Sequence, residues 1–457
     1  MPLKSEDVKT VADARAIVLE RGLTHIKVGA FDIDGILRGK YLSREKFFGS
    51  LDQGFGFCNV VLGWDSNDQL YDNTTWTGWH TGYPDTPVRI LPQTCRDIPF
   101  EPGMLFFLCE FTEDREAPCP RGLLRRVLAR ADKMGFSALA GLEYEYFVFD
   151  ETPDSVREKG YRNLKPMAPG FFGYSTIRNT VHADYYNETL DLAEKMRFQI
   201  EGLHEETGPG VLEAALAVDT ALEAADKAAL FKTFIKIHAQ RNGRMATFMA
   251  KWNAELPGQS GHIHVSLKDA TGEPVFHDPA GEFGMSPLMK NFVAGQHALM
   301  PDLLGMVASS VNSYTRLVPG FWAPTNATWG VENRTAALRV IPGSAKSQRV
   351  EYRIGAADAN PYLALAVALA SGLWGIETGA ELGKPVSGNA YEQKFPAKTA
   401  LPGTLWEAAQ RLKASKMARD WFGDVFVDHF AATREWEERQ FRRAVTDWEL
   451  ARYFEII

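Results

Sequence analysis

Three short segments carry ionisable groups where a core strand would carry valine. In Leu142-Glu-Tyr-Glu-Tyr-Phe-Val-Phe149, the two-residue alternation of a strand puts Glu143 and Glu145 on one face and Tyr144 and Tyr146 on the other. In Gly261-His-Ile-His-Val-Ser-Leu267, one face carries His262, His264 and Ser266, with Ile263, Val265 and Leu267 behind. In Gln348-Arg-Val-Glu-Tyr-Arg-Ile354, Arg349, Glu351 and Arg353 share a face backed by Val350, Tyr352 and Ile354. Such faces could meet solvent in half-exposed antiparallel strands, but solvated faces favour Lys and Thr over Glu-x-Glu and His-x-His. Carboxylates two apart on a strand are about 7 Å from each other, enough to hold separate metal ions about 4 Å apart. Carboxylates, histidine and several arginines together make an inventory for metal-assisted chemistry on phosphate.

Elements must position these groups. The chain has 457 residues, 45% hydrophobic and 24% charged, an ordinary soluble composition with room for roughly two to four domains. The formal charge of −8 argues against a broad nucleic-acid or anionic-membrane surface. The longest uncharged apolar run, Leu363 to Ile376, falls short of a membrane span. The N-terminal residues lack the apolar centre of a signal peptide. Cys58, Cys95, Cys109 and Cys119 show neither CxxC spacing nor disulfide density, so a reducing cytoplasm is expected. The pattern predicts a helix over Val8 to Arg21, with Ser5 as its cap, then β-rich runs at His25 to Asp32 and Gly39 to Leu42. Residues 55–92 read as long functional loops carrying Trp64, Trp76 and Trp79. Met104 to Phe111 reads as a buried strand, Thr112 to Pro120 as a domain boundary, Arg121 to Met134 as an amphipathic helix, and Trp406 to Phe454 as mostly helical.

Other chemistry-bearing residues weigh less. Asp32-Ile-Asp34-Gly reads as a turn after a strand rather than a metal pair. Gly208-Pro-Gly210 lacks the lysine and helix of a phosphate loop. His80, His182, His238 and His277 have no partner at ligand spacing and read as surface or structural histidines.

Taken in order, the blocks resemble the glutamine synthetase family, type I branch. They are Leu142-Glu-Tyr-Glu-Tyr-Phe, Glu206-Thr-Gly-Pro-Gly-Val-Leu-Glu213, Ala246-Thr-Phe-Met-Ala-Lys251 with Ser260-Gly-His-Ile-His-Val-Ser, Asn312-Ser-Tyr-Thr-Arg-Leu-Val-Pro-Gly, Trp329-Gly-Val-Glu-Asn-Arg-Thr, and Arg349-Val-Glu-Tyr-Arg through Ala359-Asn-Pro-Tyr-Leu-Ala-Leu. The resemblance implies an α+β fold: a small N-terminal β-grasp domain (residues 1–112) and a C-terminal catalytic domain (113–457) whose antiparallel strands form an active-site barrel. It also implies homo-oligomeric rings, commonly dodecamers of two hexamers, with sites between neighbouring subunits. By resemblance, one divalent ion, Mg²⁺ or Mn²⁺, sits on Glu145, Glu206 and Glu213 and another on Glu143, His262 and Glu351. Gly258, Arg316 and Arg353 look like the glutamate-binding set. Arg334, Arg339 and Arg349 resemble the groups that hold ATP phosphates, and His264 and Ser266 would lie by the nucleotide. Arg334, Arg353 and Glu351 are the implied catalytic groups. The implied reaction has glutamate's γ-carboxylate attack ATP, giving γ-glutamyl phosphate, which an amine then converts to an amide.

The chain departs from that pattern on the nitrogen-donor side. Ammonia-using members carry a flap glutamate where Pro319-Gly-Phe-Trp-Ala-Pro here has Trp322, and an aspartate from the adjacent subunit where Phe57-Cys-Asn here has Cys58. Pro257 stands for a usual Asn, Trp252 for a Pro and Val211 for a Gln. Capturing hydrated ammonium needs negative charge; an indole and a thiol offer apolar surface instead, which favours an alkylamine by about 0.8 kcal/mol per buried methylene. The resemblance therefore points to the γ-glutamyl–amine ligase branch with a small primary alkylamine, Trp64 helping to line the pocket. Three alternatives stay open: a putrescine-type substrate, with Asp65, Asp68 or Glu332 meeting its far ammonium; an ammonia-using glutamine synthetase; and a non-catalytic binding protein. Tyr391 lies where some members are adenylylated, but its surroundings do not match that signal.

Overall fold

Two sheets organise the chain, and the first already explains the apolar run before the boundary. The computed structural model describes residues 3–112, 118–320 and 322–457. The N-terminal sheet comprises β1 (His25–Phe31), β2 (Leu37–Ser43), β3 (Phe55–Cys58), β4 (Asp85–Ile90), β5 (Arg96–Asp97) and β6 (Leu105–Phe111), in the order β2-β1-β6-β4-β3 with β5 beside β6. All seven residues of β6 are buried because it is central: β1 pairs with it in parallel, and β4 antiparallel on the other side. Helices Val11–Glu20 and Arg44–Gln53 cover one face through Ala14, Ile17, Val18, Phe47 and Leu51. The first helix begins later than its sequence pattern predicts. Thr10, not Ser5, is the cap, because Thr10 and Asp13 form a reciprocal capping box.

The second sheet has nine strands among the described residues. These are β7 (Phe136–Phe149), β8 (Ile200–Glu205), β9 (Val211–Leu216), β10 (Asp219–Thr220), β11 (Met245–Thr247), β12 (Gly261–Asp269), β13 (Trp329–Val331), β14 (Leu338–Ile341) and β15 (Arg349–Tyr352). Their order is β13-β14-β15-β12-β7-β9-β8, antiparallel throughout except for β13 with β14. The ends of this path do not pair with each other among the described residues, so within one chain the barrel is open. One face packs Tyr144, Tyr146, Ile263, Val265, Val350 and Tyr352 onto helices Pro120–Lys133, Ala221–Arg241 and Pro361–Thr378. The run Leu363 to Ile376 lies inside the last of these, almost wholly buried, as an all-round apolar helix should be. No helix among the described residues is long and apolar enough to cross a membrane.

The fold is α+β, as the family resemblance implies. Of the expected boundary, residues 113–117 lie outside the described residues. The two sheets are tied by buried charge. Arg121 donates from Nε and Nη2 to Asp226 at 2.9 Å each, and from Nη1 to Glu110 on β6. Tyr362 Oη adds a bond to Asp226 at 2.6 Å. The Asp32–Asp34 segment is a turn: Asp32 Oδ1 accepts from the Asp34 and Ile36 amides at 3.0 and 2.8 Å. Arg434 of helix Asp424–Phe441 donates to Asp34 at 2.7 Å and Asn360 Nδ2 to the Asp32 carbonyl at 3.1 Å. The tryptophan-rich loops dock on that helix too: Trp76 meets His429 at 6.1 Å between ring centroids, and Asp65 accepts from Trp436 Nε1 at 3.0 Å. Only Trp79 of the three loop tryptophans is largely exposed.

Candidate active site

Strand register brings the three charged faces together. His262 of β12 is paired across from Glu143 of β7, Glu145 of β7 from Glu213 of β9, and Glu351 of β15 from both His264 and Arg339. Directly opposed residues on one sheet face lie within side-chain reach, so Glu143, Glu145, Glu213, His262, His264, Arg339 and Glu351 converge without any loop carrying them. His262 Nδ1 lies 3.5 Å from both Glu143 Oε2 and Glu351 Oε1, and His264 Nε2 lies 3.2 Å from Glu143 Oε1. Three groups of potential ligand atoms result: Glu143, His264 and Glu351; Glu143, Glu213 and His262; and His204, Glu206 and Glu213. Glu145 stands outside these groups; its Oε2 accepts the Ser260 amide at 2.7 Å, and it lines the same cavity as Glu206, Glu213 and His262.

His204 is a site residue that the sequence patterns did not single out. It lies two residues before Glu206 at the end of β8, the same-face spacing that marks Glu143 and Glu145, and that spacing could have found it. Tyr174 is another. Its ring stacks on His204 at 4.3 Å and 9°, and its backbone amide is fixed to the Glu205 carbonyl at 2.8 Å.

Two cavities flank the carboxylates. One of about 350 Å³ is lined by Glu145, Tyr174, Glu206, Thr207, Val211, Glu213, Pro257, Gly258, Ser260, His262, Trp322, Arg334 and Arg353. The other, about 330 Å³, is lined by Glu143, Glu201, His264, Ser266, Lys346, Ser347 and Arg349 with the apolar Leu139, Leu216 and Val218. Polar groups beside apolar walls suit a nucleotide in the second. Arg349 Nε donates to His264 Nδ1 at 3.2 Å, so the His264 proton is on Nε2, towards Glu143. Arg339 lies between two acids, Glu351 at 3.1 Å from Nη1 and Glu332 at 2.9 Å from Nε. Glu351, 1% exposed, also accepts from Arg353 Nη1.

Arg316 is placed differently from a group that reaches into the cavity. It is 1% exposed, and its guanidinium donates to the Ile354 carbonyl at 3.0 Å and Ser260 Oγ at 2.8 Å. Gly258 makes room for it: a Cβ there would lie 2.5 Å from Arg316 Cγ. Cys58 and Trp64 do not line the Trp322 cavity among the described residues. Cys58 sits on β3 with its thiol on the Tyr83 carbonyl at 3.4 Å, and Trp64 packs in the N-terminal core under Arg38.

The electrostatics fit cation binding. Burial raises the Glu213 pKa, and Glu145, Glu143, Glu206 and Glu351 push it further, to about 9. Glu206 is raised as well, by burial and then by Glu145. Burial works against the Glu143 charge, but His262 and His264 outweigh it and hold the pKa well below the carboxylate range. Glu351 is likewise held down by His262 and Arg353 against its burial. His262 Nε2 and Glu206 Oε2 are buried without a hydrogen-bond partner, an arrangement left unsatisfied unless another group enters. Oxygen donors with one imidazole suit Mg²⁺ or Mn²⁺, so the residues present fit the divalent ions that the family resemblance implies.

This charge arrangement makes stability depend on pH and on the ion. Because the folded Glu213 pKa of about 9 exceeds its unfolded value, the ion-free folded state binds the extra proton and loses stability as pH rises from the ordinary carboxylate range through 9. A cation beside Glu213 removes that loss. Addition of Mg²⁺ is therefore expected to raise Tm more near about pH 8.5 than near about pH 7. Thermal melts at both values check this, and an equal shift would place the ion away from Glu213.

Comparison with known proteins agrees with this geometry. The model of the glutamine synthetase catalytic domain matches residues 117–453. A protein described as type-1 glutamine synthetase 2 from Dictyostelium discoideum is 45% identical over 438 residues, covering 94% of this chain and 84% of that protein. A glutamate–isopropylamine ligase from a Pseudomonas species is 36% identical over 462 residues, 100% of both chains. A solved structure described as a GmaS/ADP complex superposes with a TM-score of 0.84 at 26% identity, covering 97% of this chain and 99% of that one. With residues 117–453 matched to that catalytic domain and the carboxylates and histidines brought together on one sheet, the chain belongs to the glutamine synthetase family and is a ligase of that family.

Proposed function

We propose that this enzyme joins the γ-carboxylate of L-glutamate to a small primary alkylamine, with ATP as co-substrate and Mg²⁺ or Mn²⁺ as the ions. The observation that carries the amine assignment is Trp322. Its indole, 54% exposed, stands in the wall of the cavity that also holds Glu145, Glu206, Glu213 and Arg334. Of the other departures from the family pattern, Val211 and Pro257 line the same cavity, while Trp252 packs with Val211 outside it. Val211 packs with Phe147 and Phe149, and Trp252 lies edge-on to Phe149 at 4.8 Å. An apolar wall with an indole face receives an alkyl group, and its ammonium form, better than it receives hydrated ammonium.

The three acids considered for the far end of a diamine are already engaged: Asp65 with Trp436, Asp68 with Arg38, and Glu332 with Arg339. That favours a short alkylamine. The name of the Pseudomonas relative, a glutamate–isopropylamine ligase, points the same way. In the ring assembly that the family resemblance implies, Cys58 and Trp64 would reach a cavity only from a neighbouring copy.

In the proposed reaction, an oxygen of the glutamate γ-carboxylate attacks the terminal phosphorus of ATP, releasing ADP. The amine nitrogen then attacks the acyl carbon and expels phosphate, its surplus proton leaving to a base. Bound divalent ions would be held by Glu143, Glu145, Glu206, Glu213, His262 and Glu351, supplying charge neutralisation between carboxylate and polyphosphate. Arg334, Arg339, Arg349 and Arg353 would bind and orient the phosphates and the glutamate, which lowers the barrier by positioning and by fixed positive charge. Trp322 would exclude water from the acyl phosphate.

An ammonia-using enzyme is the second reading, favoured by the name of the 45% identical relative, a glutamine synthetase. Phosphate release with glutamate, ATP and Mg²⁺ or Mn²⁺ across ammonia, methylamine, ethylamine, isopropylamine, ethanolamine and putrescine separates the two. A preference for one small alkylamine is expected. Saturation by ammonia at lower concentration than by any amine would overturn the proposal.

A further inference from the structure

Glu332 has a backbone that its side chain disfavours. It follows β13, and its φ is +49°. Left-handed backbone at a residue other than Gly, Asn or Asp is uncommon, and where it persists the surroundings over-determine it. Here three sets of contacts do so. The Glu332 amide continues the strand ladder to the Val340 carbonyl at 3.0 Å. Asn333 anchors the following turn, donating to the Gly388 and Val386 carbonyls at 2.9 and 3.2 Å. The Glu332 carboxylate takes both Nε and Nη2 of Arg339 on one oxygen.

The consequence is a division of labour across two residues. The turn after Glu332 sends Arg334 into the 350 Å³ cavity, while Glu332 itself points back at Arg339. Arg339 has five N–H groups; Glu332 takes two and Glu351 Oε2 one. Two remain, on a guanidinium whose plane is fixed by one carboxylate on β15 and one in the turn after β13. A planar fork held in this way meets a phosphate without first giving up rotamer freedom.

We propose that Glu332 is a positioning residue: it holds Arg339 in the orientation that presents its remaining N–H pair to the nucleotide phosphates. The inference rests on the proposed ATP chemistry of this site, and it adds a residue that contacts neither cavity lining nor ion ligand except through Arg339.

The test compares Glu332→Gln, Glu332→Gly and Arg339→Lys, singly and with Glu332→Gln combined with Arg339→Lys, by phosphate-release kinetics and by calorimetry of ADP with Mg²⁺. Half-exposed charge pairs are modest, so Glu332→Gln is expected to raise KM for ATP and weaken ADP binding by about fivefold, with little change in KM for glutamate. Glu332→Gly, which suits the left-handed backbone, should keep or raise Tm yet show the same loss. In the Arg339→Lys background the further loss from Glu332→Gln should be under about twofold, because a residue that acts through Arg339 has nothing left to position.

Full ATP affinity in Glu332→Gly would mean that the turn alone matters and overturn the proposal. Tighter ADP binding in Glu332→Gln would overturn it by making Glu332 a competitor of phosphate. Should the unmodified enzyme release no phosphate with any nitrogen donor, the catalytic reading fails, while the calorimetric coupling of Glu332 and Arg339 still decides this one. Absence of ADP binding by the unmodified enzyme would overturn both.

Discussion

Glu351→Gln is expected to lower kcat/KM about 10³-fold, which is roughly 4 kcal/mol of transition-state stabilisation. The residue is nearly inaccessible, lies 3.5 Å from His262, and takes hydrogen bonds from Arg339 and Arg353. Replacing it with a neutral amide of the same shape removes one ion ligand. It also leaves the buried Arg353 guanidinium without the charge that offsets its desolvation, and Arg339 with Glu332 alone. Breaking a buried pair on one side destabilises by about 3 kcal/mol or more, a loss that exceeds the relief to Glu213 from one through-space repulsion. The variant should therefore melt lower without added ions and gain less on Mg²⁺ addition. Phosphate-release kinetics and thermal melts read the two effects separately. Near-full activity in this variant would remove Glu351 from the phosphoryl-transfer site.

Trp322→Glu is expected to move specificity from alkylamine towards ammonia by about 1–3 kcal/mol in relative kcat/KM, or about tenfold to somewhat over a hundredfold. The indole offers an apolar wall and a π face; a carboxylate there offers neither and attracts the smaller, more strongly hydrated cation. Trp322 has a φ of +58°, a left-handed backbone that neither Trp nor Glu favours, so the substitution chiefly tests the side chain. KM for ATP should stay constant, because the cavity proposed for the nucleotide does not include Trp322. An unchanged amine profile would show that Trp322 does not contact the amine and that the apolar wall belongs to other residues.

The charged strand faces are legible in the sequence because a strand's period is two. Glu143 and Glu145 must share a face once Tyr144 and Tyr146 are buried opposite them, and both tyrosines are buried. The same rule, extended to the end of β8, picks out His204. The helix Pro361–Thr378 is legible for a related reason: a run with no polar face has nowhere to lie except inside. The start of the first helix is not legible in this way, because Ser5 and Thr10 are both acceptable caps by type. Only the reciprocal bonds of Thr10 and Asp13 choose between them.

Composition and residue order do not supply register or direction. One residue of slip between β12 and β7 would carry His262 away from Glu143 and scatter the carboxylates over both faces. Pairing strands this far apart in sequence depends on the packing of the whole sheet. By its motif Arg316 belongs among groups reaching for substrate, whereas the tertiary structure turns its guanidinium onto Ser260 and the Ile354 carbonyl. Tyr174 carries no sequence signal at all, because a stacking contact with His204 across a loop has no period to reveal it. Taken alone, then, the sequence determined which residue types face together along each strand, since alternation is a local property of the backbone. The tertiary structure decided which strands meet, how the acids raise one another's pKa, and which arginines face a cavity, since each depends on distances between segments far apart in the chain.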